Sequence, residues 1–183
     1  MNVTDCISAL AIATASLGAV TDHRTGHIPN WLTLGSLAAA PLLWFGSAAA
    51  SQGASAGFMA AGMSLAGAFV CGLGPAILFA RGGVGGGDVK LLAAIGAILG
   101  PRIGINAEFY AFVLGALYVP GRLAWDGKLL RVTWGALRSL VSPLVREADR
   151  RPAPPELGMR MRLGPAILAG TVIAFVFSHG RFA

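Results

Sequence analysis

The chain carries eight Asp and Glu in 183 residues, and three of them, Asp22, Asp88 and Glu108, stand within or at the ends of apolar runs. A carboxylate at membrane depth is costly, so by default it marks function. The other five have ordinary places: Asp5 lies near the start, and Asp126, Glu147, Asp149 and Glu156 lie in a long charged loop. Asp22 closes the first apolar run and Asp88 opens the fourth, so a chain crossing the bilayer at each run brings both to one side. Glu108 starts the fifth run from the opposite side. It is expected far from the pair, as an outer-interface or inter-helix hydrogen-bonding residue. Two carboxylates sharing a site cannot both ionise easily, so one proton is held between them, which suits attack of an activated water on a peptide carbonyl. Helix dipoles disfavour an anion at Asp22, on a helix C-terminus, and favour one at Asp88, on a helix N-terminus. Asp88 is therefore expected as base and Asp22 as acid, in a pair that titrates as a unit.

The neighbours refine this picture. Asp88 follows the run Gly82-Gly83-Val84-Gly85-Gly86-Gly87, where glycines allow positive φ and let a substrate backbone come close. From Asp88 to Pro101 there are only about 13 helical residues, roughly 20 Å, against a hydrocarbon core of about 30 Å. Asp88 is thus expected below the cytoplasmic surface, in a water-filled recess, since non-helical backbone at that depth must line a cavity or be buried. Lys90 is placed either to tune Asp88 or to snorkel to phosphate headgroups. His23 and His27 have the i, i+4 spacing of metal ligands on a helix, but Gly26 and Pro29 favour a turn there, and no metal or other cofactor is expected. Cys6 and Cys71 form no C-x-x-C pair and read as packing residues.

The elements that must position these residues are membrane helices. Hydrophobic residues make up 55% and charged residues 12% of the chain, against roughly 25% charged in a soluble domain, and the mean hydropathy is +0.69. Apolar runs at about Cys6–Thr21, Trp31–Ala50, Ala54–Ala80, Val89–Leu99, Ile103–Trp125 and Leu163–Ser178 predict an all-α polytopic membrane protein of about six transmembrane helices, forming one domain over residues 1–183. The N-terminus lacks the basic region of a signal peptide, so the first run is expected to remain. All Lys and Arg except Arg102 and Arg181 fall in the first, third and fifth loops, which the positive-inside rule makes cytoplasmic. Both termini are then outside. Within the basic loop over residues 126–162, Leu130, Trp134, Leu137, Val141 and Leu144 share one face of a helix running from Lys128 to Val145, with Lys128, Arg131, Arg138 and Arg146 opposite. This predicts an amphipathic helix lying among anionic headgroups, followed by an extended linker at Arg151-Pro152-Ala153-Pro154-Pro155. Despite a net charge of +6, no nucleic-acid motif accompanies these residues.

The motifs resemble those of the type IV prepilin peptidases, membrane aspartic proteases with a G-x-G-D signature. Gly85-Gly86-Gly87-Asp88-Val89-Lys90 is similar to the family's G-x-G-D-x-K, and Asp22 followed by Ile28-Pro29-Asn30 is similar to its other motif, an aspartate six residues before I-P-N. A weaker likeness, Arg162-Leu163-Gly164-Pro165-Ala166-Ile167-Leu168-Ala169-Gly170, resembles the entry to the family's last helix. The resemblance implies Asp22 and Asp88 as the catalytic pair, with Gly85, Gly86, Gly87, Lys90, Ile28, Pro29 and Asn30 around them. It also implies a prepilin or pseudopilin substrate cut at the cytoplasmic face of a bacterial inner membrane. Larger members carry a cytoplasmic insertion with paired cysteines and also methylate the new N-terminus. This chain is most similar to the short, peptidase-only members of Flp-type tight-adherence systems, so methyl transfer is not predicted.

Two other classes fit parts of the pattern. An intramembrane G-x-G-D protease of the presenilin or signal-peptide-peptidase kind would carry a tyrosine-aspartate pair, which Val20-Thr21-Asp22 lacks. A proton or solute carrier would continue its carboxylates outward, and no such ladder follows. For the basic loop, replacing Lys128, Arg131 and Arg138 with Gln should weaken attraction to anionic lipid by about 1 kcal/mol per charge at low salt. Leader cleavage in neutral detergent then persists, processing in anionic bilayers falls, and the gap narrows at high salt. An equal loss in detergent would instead assign the segment to the site.

Overall fold

The computed structural model describes residues 3–125, 127, 130, 134 and 163–180. Among the described residues every regular element is a helix: α1 (Val3–Thr25), α2 (Asn30–Gln52), α3 (Ala54–Ala80), α4 (Gly86–Trp125) and, last in the chain, α5 (Gly164–Gly180). The chain is an all-α, polytopic membrane protein. Within it α1 from Cys6, α2 and α3 are long and apolar enough to cross a membrane, and α5 is a shorter apolar helix.

The expected fourth and fifth runs are two helices that meet at a sharp kink, the two arms of α4. α4 is interrupted at Gly100, whose φ of 75° and ψ of 170° lie outside any helix. The sequence Gly100-Pro101 explains the break: proline disfavours helical geometry in the residue before it, glycine accepts the positive φ, and proline suits the first turn of the next helix. The chain folds back there. A Cβ added to Gly104 would lie 2.9 Å from the Gly96 Cα, whereas eight residues of straight helix span about 12 Å.

The first arm, residues 86–99, is the centre of the bundle. Leu91, Leu92, Ala94, Ile95, Ala97 and Ile98 are each 2% exposed or less, the pattern of a helix enclosed on all sides. Around it Gly18 of α1 packs over Leu91, and Gly67 of α3 lies against the backbone of Gly96 and Gly100. α5 packs on α1 and, through Gly170, on Ala107 and Ala111 of the second arm, while α2 packs chiefly on α3.

These contacts set the level of the first arm against α3. Gly86, at the start of the first arm, meets Phe79 near the end of α3, and the break at Gly100 meets Gly67 at the middle of α3. A helix ended inside the bundle leaves carbonyls without intrahelical donors, and lipid supplies none. Ser64 Oγ donates to the Ala97 carbonyl at 2.7 Å and Trp44 Nε1 to the Ile98 carbonyl at 2.9 Å.

The same turn places Glu108. Expected as an outer-interface or inter-helix hydrogen-bonding residue, it lies across from Gly74, where an added Cβ would be 3.2 Å from its Oε1, and it accepts a hydrogen bond from the Cys71 thiol, an inter-helix place. Cys71, expected only to pack, is fully buried and donates this bond, with Gly96 and Gly104 close around it. Cys6 is exposed.

The chain divides into two compact units, Met1–Leu114 with Met161–Ala183, and Gly115–Arg160. In the second, residues 115–125 continue α4, and Leu130 and Trp134 are helical and exposed. The rest of the basic loop expected over residues 126–162, with its amphipathic helix, lies outside the described residues apart from Gly127.

Removing the Ser64 hydroxyl strands the Ala97 carbonyl, so Ser64→Ala should lower unfolding stability in detergent by about 1 kcal/mol. Ser51 bonds only carbonyls of its own helix, at Ser47 and Ala48, and Ser51→Ala should change stability by less than about 0.5 kcal/mol. Denaturant titration of the two variants checks the difference.

Candidate active site

Helix register brings Asp22 and Asp88 together. Along α1, Ile7, Ala11, Ala15 and Ala19 are buried at intervals of four, one face of a 3.6-residue helix, and Asp22 is the next residue on it. On the first arm Asp88 heads the face continued by Leu91, Leu92 and Ile95. The contact of Gly18 with Leu91 is one turn from each aspartate. Asp22 is 6% and Asp88 5% exposed, and the two are near enough for the charge of Asp22 to act on Asp88.

The turns beside them follow from local sequence. Gly26, with φ 66°, donates its N–H to the Asp22 carbonyl at 2.8 Å, the left-handed cap that ends a helix at glycine. Pro29 then leads into α2 in extended geometry. α4 opens with its Asp88 N–H donating to the Gly85 carbonyl at 3.1 Å, while the Asp88 carboxylate folds back to accept the Gly85 N–H. Only the N3 side chain's half of a capping box is present, since glycine has no side chain to return the bond.

The two turns meet in a seam. A Cβ on Gly87 would lie 3.2 Å from the Cβ of buried Ile28, and Lys90 Nζ donates to Asn30 Oδ1 at 3.0 Å. The glycine run therefore gives its space to the chain's own atoms: Gly85 lies against Asp88, Gly86 against Phe79 and Gly87 against Ile28. His27 stands beyond the end of α1 and donates its N–H to Thr25 Oγ1, so it does not share a helix face with His23; both are exposed.

A further residue joins the site from far along the chain. The Gly164 N–H, at the start of α5, donates to Asp22 Oδ2 at 3.1 Å. Its only signal in the sequence is the Gly164-Pro165 pair at the head of the last apolar run. The expected division of roles rested on the dipoles of α1 and α4 alone, and the N-terminus of α5 adds a third at Asp22. Asp88 Oδ1 is buried and has no hydrogen-bond partner among the described residues, a costly state for a carboxylate oxygen.

Fold and site together define a helical membrane protein with two neighbouring buried carboxylates at the joined ends of its helices. The model of the type IV leader peptidase family matches residues 9–119, a stretch holding both aspartates, Ile28 to Asn30 and the glycine run. The chain is 33% identical over 167 residues to the prepilin leader peptidase/N-methyltransferase of Bacillus subtilis (strain 168), covering 87% of this chain and 50% of that protein. It thus spans half the length of that curated relative. No solved structure gives a match. The chain belongs to the type IV leader peptidase family.

Gly164 has no room for a side chain: an added Cβ would lie 2.9 Å from both Cβ and Oδ2 of Asp22 and 3.1 Å from the Ala19 Cα. Gly164→Ala should displace Asp22 and, if the chain cleaves leaders as proposed below, lower that cleavage by about 10- to 100-fold, with the protein still inserted. Cleavage assays on membranes of equal protein content test this.

Proposed function

We propose that the chain is an aspartic endopeptidase of the bacterial inner membrane that removes the short cytoplasmic leader from prepilin- or pseudopilin-like proteins of the Flp type. The observation that carries this reading is the pair itself, two buried carboxylates close together, one of them with an unpartnered oxygen. Membership of the leader peptidase family and the name of the Bacillus subtilis relative support the substrate class. The reading extends to leader cleavage alone. Methyl transfer, the second activity in that relative's name, is left to that protein.

On this reading the pair starts with one proton between two carboxylates. The oxygen of a water attacks the scissile carbonyl carbon while the ionised carboxylate takes a proton from that water, and the shared proton passes to the carbonyl oxygen. Collapse of the tetrahedral diol breaks the C–N bond: one diol hydroxyl gives its proton to the pair as the new C=O forms, and the amine leaves with a proton from the pair. The products are the leader's carboxyl terminus and a new amino terminus, and the pair ends with the one proton it began with. Asp22 stands in the last turn of α1 and Asp88 in the first turn of α4, so the site serves a bond at the end of a substrate's apolar helix. Arg24, Arg81 and Lys90, at the same ends, are exposed, which favours a cytoplasmic location for this end.

Asp22→Asn and Asp88→Asn should each abolish leader removal while insertion and expression stay normal, because the amide keeps the shape and loses the titrating proton. Processing of a co-expressed prepilin, read on a gel, decides the matter, and substantial processing by either variant would reject the pair. Glu108→Gln keeps a hydrogen-bonding group opposite Cys71 and should process at the wild-type rate.

A further inference from the structure

The bond from Lys90 Nζ to Asn30 Oδ1 joins the first turns of α4 and α2 at 3.0 Å, and both residues are exposed to solvent. A bond in that setting contributes little to stability, because water competes for both partners and a long side chain must be held still to form it. What it joins is more informative than its strength. Lys90 is two residues beyond Asp88, and Asn30 follows the turn at Gly26 that ends the helix bearing Asp22.

Two contacts join the turns. Ile28 lies against Gly87, an apolar contact that resists separation but, being non-directional, does not fix the position of one turn along the other. The hydrogen bond is directional and does fix it. The Lys90 ammonium is thereby drawn to the α2 side of the seam. Three donors are available on an ammonium, so one can serve Asn30 while the others remain in water.

We infer that Lys90 is a positioning residue for leader cleavage: through its bond to Asn30 it holds the α1–α2 turn in register with the first turn of α4 and so sets the spacing of Asp22 and Asp88. The inference rests on the function proposed above, since spacing matters only if the two carboxylates act together.

The test uses the full chain in detergent with a purified prepilin, comparing Lys90→Met, Asn30→Ala, the double variant and Lys90→Arg. Each of the first two should lower kcat by about 10- to 100-fold, as small misplacements of reacting groups do, with KM unchanged. The double variant should be no slower than the slower single, because both changes remove one and the same bond. Lys90→Arg keeps a donor and should keep most of the rate, and all melting temperatures should stay at the wild-type value. Losses that multiply in the double variant would overturn the inference. So would a raised KM for Lys90→Met alone, which would put the ammonium on the substrate, or a rate that falls only in step with melting temperature. Unchanged cleavage would overturn it as well. Should Lys90→Met fail to accumulate, the kcat and KM of Asn30→Ala and the rate of Lys90→Arg carry the same decision. Asp22→Asn and Asp88→Asn in the same assay separate the two failures: if they cut, the pair is wrong, and if they are dead while the seam variants cut normally, only the positioning role is.

Discussion

Moving a carboxylate from water into a low-dielectric interior costs several kcal/mol even after relaxation, and this chain does it twice in one place. Most of what surrounds Asp22 and Asp88 answers that cost. One oxygen of Asp22 receives the Gly164 N–H, and the Asp88 carboxylate receives the Gly85 N–H. Both donors are backbone amides at helix starts, where N–H groups lack intrahelical partners. Each therefore satisfies a carboxylate and a helix end with a single bond. What these two amides leave uncompensated is the repulsion between like charges, and a proton kept in the pair removes it. The condition that makes the pair tolerable in the fold is the same one that lets it give and take protons during hydrolysis on the proposed mechanism.

A carboxylate is useful only where its helix points it, so the rotation and height of the first arm of α4 matter as much as the site. That arm is fixed at its far end. Backbone meets backbone at Gly67 and Gly96, a closeness that small residues allow between membrane helices, and two side chains from α2 and α3 take the carbonyls that the break at Gly100 sets free. Nearer the site, Leu91 against Gly18 sets the distance to α1. An arm of 14 residues held at the break and at Leu91 leaves the register of its first turn to the contacts around Asp88 itself. The hydrogen bond between Cys71 and Glu108 belongs to the same fixation, since it ties α3 to the second arm just beyond the turn.

Much of this was legible in the sequence because apolar runs and turn residues act locally. The bounds of α3, the helix end at Gly26 and the meeting of the segments around Asp22 and Asp88 all follow from run lengths, glycine and proline. The turn at Gly100 was legible as a boundary, because glycine and proline announce it, whereas the groups that satisfy the broken helix were not: Ser64 and Trp44 look like ordinary apolar-run residues in sequence. Gly164 escaped for another reason: it contributes a backbone amide, a group every residue but proline has, so nothing in its side chain announces the bond to Asp22.

A site assembled from helix ends also constrains what it can accept. Peptide hydrolysis needs an accessible carbonyl, and a residue inside a helix has its carbonyl engaged and shielded. Enzymes that cut within an apolar helix must therefore unwind it first, at the cost of backbone groups left bare in lipid. Here the carboxylates stand in the last turn of α1 and the first turn of α4, level with the end of α3. On the proposed function, a substrate whose apolar helix lies alongside the bundle presents, at that level, the residues where its own helix gives way to an extended leader. Those backbone groups are already free, so no unwinding is required. The position of the pair at the helix ends thus selects for a leader preceding an apolar helix by height, and the chemistry of the leader's side chains adds to a choice that the geometry has already made.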